Sequence, residues 1–118
     1  MLFESRKILG IPELKVTCTC VRVPVVRSHS ISITAIFEKD PSVEDARKSF
    51  EGRRGIRLVD DPNKAIYPVP LGTTGNDDCE VGRIRKDQVL PNALALWVVG
   101  DQIKKGAALN AVQIAEIL

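Results

Sequence analysis

Residues 30–38 place the strongest constraint on what this chain can fold into. Ile31, Ile33, Ala35 and Phe37 alternate with Ser32, Thr34 and Ile36. A period of two with one mostly polar face is the pattern of a half-buried strand. The chain must therefore build a sheet and cover one side of it. Only 4% of its residues are aromatic, so the cover has to come from Val, Ile, Leu and Ala. Other segments support a sheet. Residues 15–26 form a β-branched run, with Pro24 demoting its end to an edge, a bulge or a bend. Short apolar runs at 56–59, 79–85 and 94–99 predict three more strands.

Helices are expected between them. Residues 4–9 read as the tail of a helix stopped by Gly10 and Pro12. A piece that short does not persist alone, so the chain is read as beginning inside something larger. Asp40-Pro41-Ser42 opens a second helix with Ser42 as N-cap, Asp45 three residues on, and Val43, Ala46 and Phe50 as its stripe. Residues 67–78, rich in Pro and Gly, predict an ordered loop. A closing helix is expected over 107–118, with Leu109, Val112, Ile114, Ala115 and Leu118 on its buried side. The succession is α+β, with a mixed, largely antiparallel sheet.

Size and charge narrow the function classes. The 118 residues make one ordinary domain, whereas a dinucleotide-dependent enzyme normally needs two. Seventeen basic against fifteen acidic residues leave a net charge of +2, which argues for neither nucleic acid nor an anionic membrane as partner. No apolar stretch reaches the length of a membrane span or a signal peptide, and a cytoplasmic location is expected. Cys18, Cys20 and Cys79 are odd in number, which fits reduced thiols. The two-apart spacing of Cys18 and Cys20, with His29 the single imidazole, argues against a metal site.

Three places could carry chemistry. Arg22 is a cation in an apolar run and needs an anion; its fork of donors matches a carboxylate. His29 is the one side chain whose ordinary titration lies near neutrality, which makes it the acid/base candidate. Seven residues separate the two, so on a straight strand they face opposite ways. A single site would need a break at Pro24 or a turn near Arg27-Ser28. The plainer reading has Arg22 paired with a structural carboxylate and His29 at a strand end. The cysteines read as small hydrophobes, and Cys79 follows two aspartates that raise its pKa. Finally, Gly106-Ala107-Ala108-Leu109-Asn110 could bring a ligand close to a helix start, or could be a packed helix start with Ala chosen for propensity. No Gly-rich phosphate loop occurs.

Several segments together resemble one family. Thr19-Cys20-Val21-Arg22-Val23-Pro24-Val25-Val26-Arg27-Ser28-His29-Ser30 is similar to a signature of aspartate-β-semialdehyde dehydrogenases. Tyr67-Pro68-Val69-Pro70-Leu71 through Val81-Gly82-Arg83-Ile84-Arg85, and Trp97-Val98-Val99-Gly100-Asp101 through Ala115, resemble later blocks of the same enzymes. The resemblance runs in order along essentially the whole chain. It implies a dimerisation-domain type of fold, with helices on one face of the sheet, a partial catalytic and dimerisation domain over 1–105, and a helix over 106–118 that packs on a dinucleotide-binding domain. It implies reduction of L-aspartyl-4-phosphate with NADPH to aspartate semialdehyde and phosphate, toward lysine, threonine, methionine and diaminopimelate. It places Arg22 on the substrate carboxylate, His29 as acid/base catalyst, and Gly106, Ala107 and Asn110 near the NADP. It also implies a homodimer or homotetramer formed through the sheet surface. The family's nucleophilic cysteine sits in an Asn-Cys-Thr-type motif that none of the three cysteines here occupies, so the chain alone is expected to be inactive. The alternatives are a stand-alone dimerisation or assembly module, or a fragment of a related acyl-phosphate reductase.

Overall fold

The computed structural model describes residues 1–118. The order is α1 (Leu2–Leu9), β1 (His29–Ile36), α2 (Val43–Phe50), β2 (Ile56–Leu58), a 3-10 turn (Pro62–Lys64), a single-turn α3 (Pro70–Thr73), β3 (Cys79–Lys86), β4 (Ala93–Gly100) and α4 (Leu109–Ala115). The strands form one sheet in the order β1-β4-β3-β2. β1 and β3 run antiparallel to β4, and β2 runs parallel to β3. The sheet is thus mixed and mostly antiparallel, as the sequence predicts.

Local chemistry explains the helix ends. Gly10 closes α1 at φ 66°, a left-handed conformation that glycine adopts without steric penalty. Ser42 caps α2 by accepting the Asp45 amide at 3.1 Å. The core is small and centres on β3 and β4: Val81, Ile84, Ala93, Leu94, Ala95 and Val99 are buried.

Residues that face each other across antiparallel strands share a side of the sheet. Gly82, Trp97 and Val99 therefore lie on one side. The chain from Val59 to Gly75 crosses that side at very close range. A Cβ on Gly82 would stand 2.6 Å from Pro68 Cδ and closer still to the Val59 carbonyl oxygen. Trp97 donates Nε1–H to the Pro68 carbonyl at 3.1 Å. On the other side Ile31, at the edge, is 46% exposed, while Ile33, Leu96 and Val98 are half-buried.

Three expectations are corrected. Residues 15–26 form no strand; they run as an irregular, mostly exposed strap. Strand propensity takes effect only where a partner ladder forms, and residues 15–26 pair with none of β1, β2, β3 or β4. The loop expected over 67–78 contains one helical turn, Pro70–Thr73. The closing helix starts at Leu109 rather than Ala107. Lys105, Gly106 and Ala107 leave helical geometry, with Gly106 at φ 100°. None of its residues is buried, and Val112, Ile114 and Leu118 stand largely exposed, because nothing in this chain packs on that face.

Candidate functional site

His29 is the first residue of β1, and its register partner is Gly100, the last residue of β4. Its side chain is exposed. The backbone before it, by contrast, is tightly held. Ser28 is only 2% exposed and has φ 79°, a left-handed value that a non-glycine residue keeps only when its surroundings demand it. Its amide donates to Gln102 Oε1 at 2.8 Å, and its hydroxyl shares a hydrogen bond with the Thr74 hydroxyl at 3.0 Å. The break needed near Arg27-Ser28 is therefore present.

Arg27 reaches the far side of the same turn. Its Nη2 pairs with Asp101 Oδ2 at 2.7 Å. Asp101 follows β4 directly and is fully buried. It also accepts the amides of Gly75 at 2.7 Å and Ile103 at 3.0 Å. The Arg27 guanidinium, helped by these two amides and opposed by burial, pulls the Asp101 carboxyl down to about 2. Four stretches of chain meet here: 27–29, 74–75, the end of β4, and 102–103.

Arg22 lies exposed in the strap and takes part in none of the ion pairs. The structural carboxylate of the plainer reading is thus not observed. Neither Arg22 nor His29 lines the two best-formed clefts. One, of about 500 Å³, is bordered by Arg47, Arg57 and Asp60 among others. Both of its arginines are already used: Arg47 pairs with Asp60 and Arg57 with Glu80. The other cleft lies between Ser32, Arg83 and Trp97.

Cys18 and Cys20 are exposed, and Cys20 Sγ lies 3.6 Å from Met1 Sδ. Burial pushes the Cys79 thiol up, Asp78 adds to this, and Lys105 opposes it. That keeps Cys79 in its unreactive thiol form. No group of three potential ligands is placed to hold a metal ion. Of the basic pair at 104–105, Lys104 bonds Asp77 at 2.7 Å and Lys105 bonds Gln113 at 2.6 Å.

Gly106 and Ala107 are exposed in the kink before α4, and Asn110 is half-buried in its first turn. A Cβ on Gly106 would meet nothing within 4 Å. These residues do not by themselves enclose a dinucleotide.

Sequence reasoning did not single out Arg27, Ser28, Thr74 or Asp101 as functional. The available signal was a carboxylate set directly behind an apolar strand, which must find partners or remain outside the core.

The profile described as "Semialdehyde dehydrogenase, dimerisation domain" matches residues 1–105. The chain belongs to this family. Aspartate-semialdehyde dehydrogenase of Prochlorococcus marinus is 54% identical over 118 residues, which is all of this chain and 34% of that protein. The crystal structure of aspartate semialdehyde dehydrogenase II of Vibrio cholerae, complexed with ASA, superposes with a TM-score of 0.93 at 38% identity. It is covered over 34% of its length by the whole of this chain. Aspartate semialdehyde dehydrogenase of Candida albicans, crystallised with NADP, gives 0.73 at 29% identity, over 92% of this chain and 34% of that one. The chain spans about a third of the length of these relatives and corresponds to their C-terminal part. Residues 1–105 thus carry the dimerisation domain of this family, a module whose description implies oligomerisation.

Proposed function

We propose that this chain supplies the substrate-clamping and acid/base side of an aspartate-semialdehyde dehydrogenase. That enzyme reduces L-aspartyl-4-phosphate to aspartate semialdehyde. The supporting observation is 54% identity sustained over every residue of the chain. Arg22 binds the substrate carboxylate: its guanidinium is exposed and uncommitted, and presents two parallel N–H donors to the two oxygens. His29 holds and returns the proton at the reacting sulfur and oxygen, a task that suits an imidazole at neutral pH. The sulfur comes from polypeptide outside this chain. NADP is the cofactor of the complete enzyme, with Gly106, Ala107 and Asn110 contributing at most one wall beside it. Subunits associate as a homodimer or homotetramer through the half-covered sheet side around Ile31 and Val98. The partners include neither nucleic acid nor a membrane, and the location is cytoplasmic; no helix is long and apolar enough to cross a membrane.

The test is a chimera in which this chain replaces the matching third of the Prochlorococcus marinus relative. The chimera turns over aspartate semialdehyde with NADP and phosphate, and the 118-residue chain alone does not. Arg22→Lys in the chimera raises KM by roughly tenfold, because an ammonium cannot replace the fork. Turnover by the isolated chain, or a KM indifferent to Arg22→Lys, refutes the assignment.

A further inference from the structure

We infer that Asp101 is a positioning residue for His29, setting where the imidazole stands by locking the turn that delivers it. The inference rests on the acid/base reading of His29 proposed above.

The argument begins with how little holds His29 itself. Its side chain is exposed and makes no hydrogen bond, so its location is inherited from the backbone. That backbone passes through Ser28 in a left-handed conformation, which L-residues seldom adopt. Two side chains enforce it, Gln102 on the amide and Thr74 on the hydroxyl. Asp101 controls both of these clamps and the chain between them. It accepts the amide of Gly75, the residue after Thr74. It accepts the amide of Ile103, the residue after Gln102. It pairs with Arg27, the residue before Ser28. It also follows Gly100, the register partner of His29. One buried carboxylate thus fixes each anchor of the strained residue and the strand end opposite the histidine. Asp60 is a useful contrast. It is similarly buried and pairs with Arg47, but it holds the amides of Arg83 and Ile84 in β3, away from this turn.

The experiment compares Asp101→Asn with Asp60→Asn in two settings. In the chimera, Asp101→Asn lowers kcat at least tenfold while KM for aspartate semialdehyde changes less than threefold. Asp60→Asn keeps kcat within twofold, at a temperature where both variants are folded. Gln102→Ala, a milder release of Ser28, lowers kcat in the same pattern and serves if Asp101→Asn does not fold. Arg27→Lys, which keeps a cation on Asp101, recovers most of the rate lost in Arg27→Gln. In the 118-residue chain, His29 is the single imidazole, so its carbon–proton NMR signals need no assignment. They move or broaden in Asp101→Asn and stay in place in Asp60→Asn. Equal behaviour of the two variants in both rate and imidazole signals overturns the positioning role. A chimera unaffected by His29→Ala overturns the acid/base reading instead, and the NMR comparison still decides whether Asp101 sets the histidine's place.

Discussion

Gly82→Ala is the most demanding test of the packing. The added Cβ would lie 2.6 Å from Pro68 Cδ and 3.2 Å from Pro68 Cγ, and against the Val59 carbonyl oxygen. A flexible side chain could swing away, but Val59 is backbone, and its amide is tied to the Val81 carbonyl at 2.8 Å. Relief therefore requires the 59–68 crossing to lift off the sheet. Lifting it would strain the Trp97–Pro68 hydrogen bond and the pairing of β2 with β3. Overpacking of this kind costs about 3 kcal/mol, the upper end of the usual range, because the obstacle cannot rotate. For a chain of this size each kcal/mol lowers Tm by about 4 °C, so a loss of roughly 12 °C is expected. Circular dichroism melts of both proteins measure it. Pro68→Ala in the same chain removes the ring contacts and leaves the carbonyl, so it should restore less than half of the loss. A Gly82→Ala protein melting within about 2 °C of the parent would refute the reasoning.

Two further outcomes follow from the same structure. The Asp101 carboxyl is lowered from 3.8 to about 2. A depressed carboxyl stabilises the fold fully above its unfolded value and ceases to do so as pH falls through its folded one. Acid melts should therefore show a stability loss between about pH 4 and pH 2 that is smaller in Asp101→Asn; identical acid profiles would contradict it. Ile31 is 46% exposed on the half-covered sheet side. Ile31→Asp should shift the chimera toward monomer in sedimentation while leaving its circular dichroism unchanged, and unaltered mass would move the interface elsewhere.

Much of the fold was legible because it is written locally. The alternation at 30–38, the Ser42 cap and the apolar runs before Lys86 and Gly100 each state their element within a few residues. Two of the failures share one cause. Residues 15–26 and α4 carry apolar patterns that no other part of this chain covers, so periodicity predicted burial where there is none. Arg22 and His29 stood out as residue types. The turn at Arg27-Ser28 was only a condition for their sharing a site, and the partners that hold it did not stand out, because Ser28 meets Gln102 across 74 positions and Thr74 across 46. No window of sequence joins such positions, and a serine with left-handed φ has no compositional mark.

The sheet order carries a consequence for synthesis. β1 pairs only with β4, and the chain from Ile36 to Ala93 must be made before that ladder can close. At roughly 5–20 residues per second, the nascent strand waits several seconds with its isoleucines bare. During that interval the ribosome-bound chain offers an unpaired edge to any other strand nearby. Chaperone capture should be most intense before residue 100 emerges and should fade once Gly100 has docked beside His29.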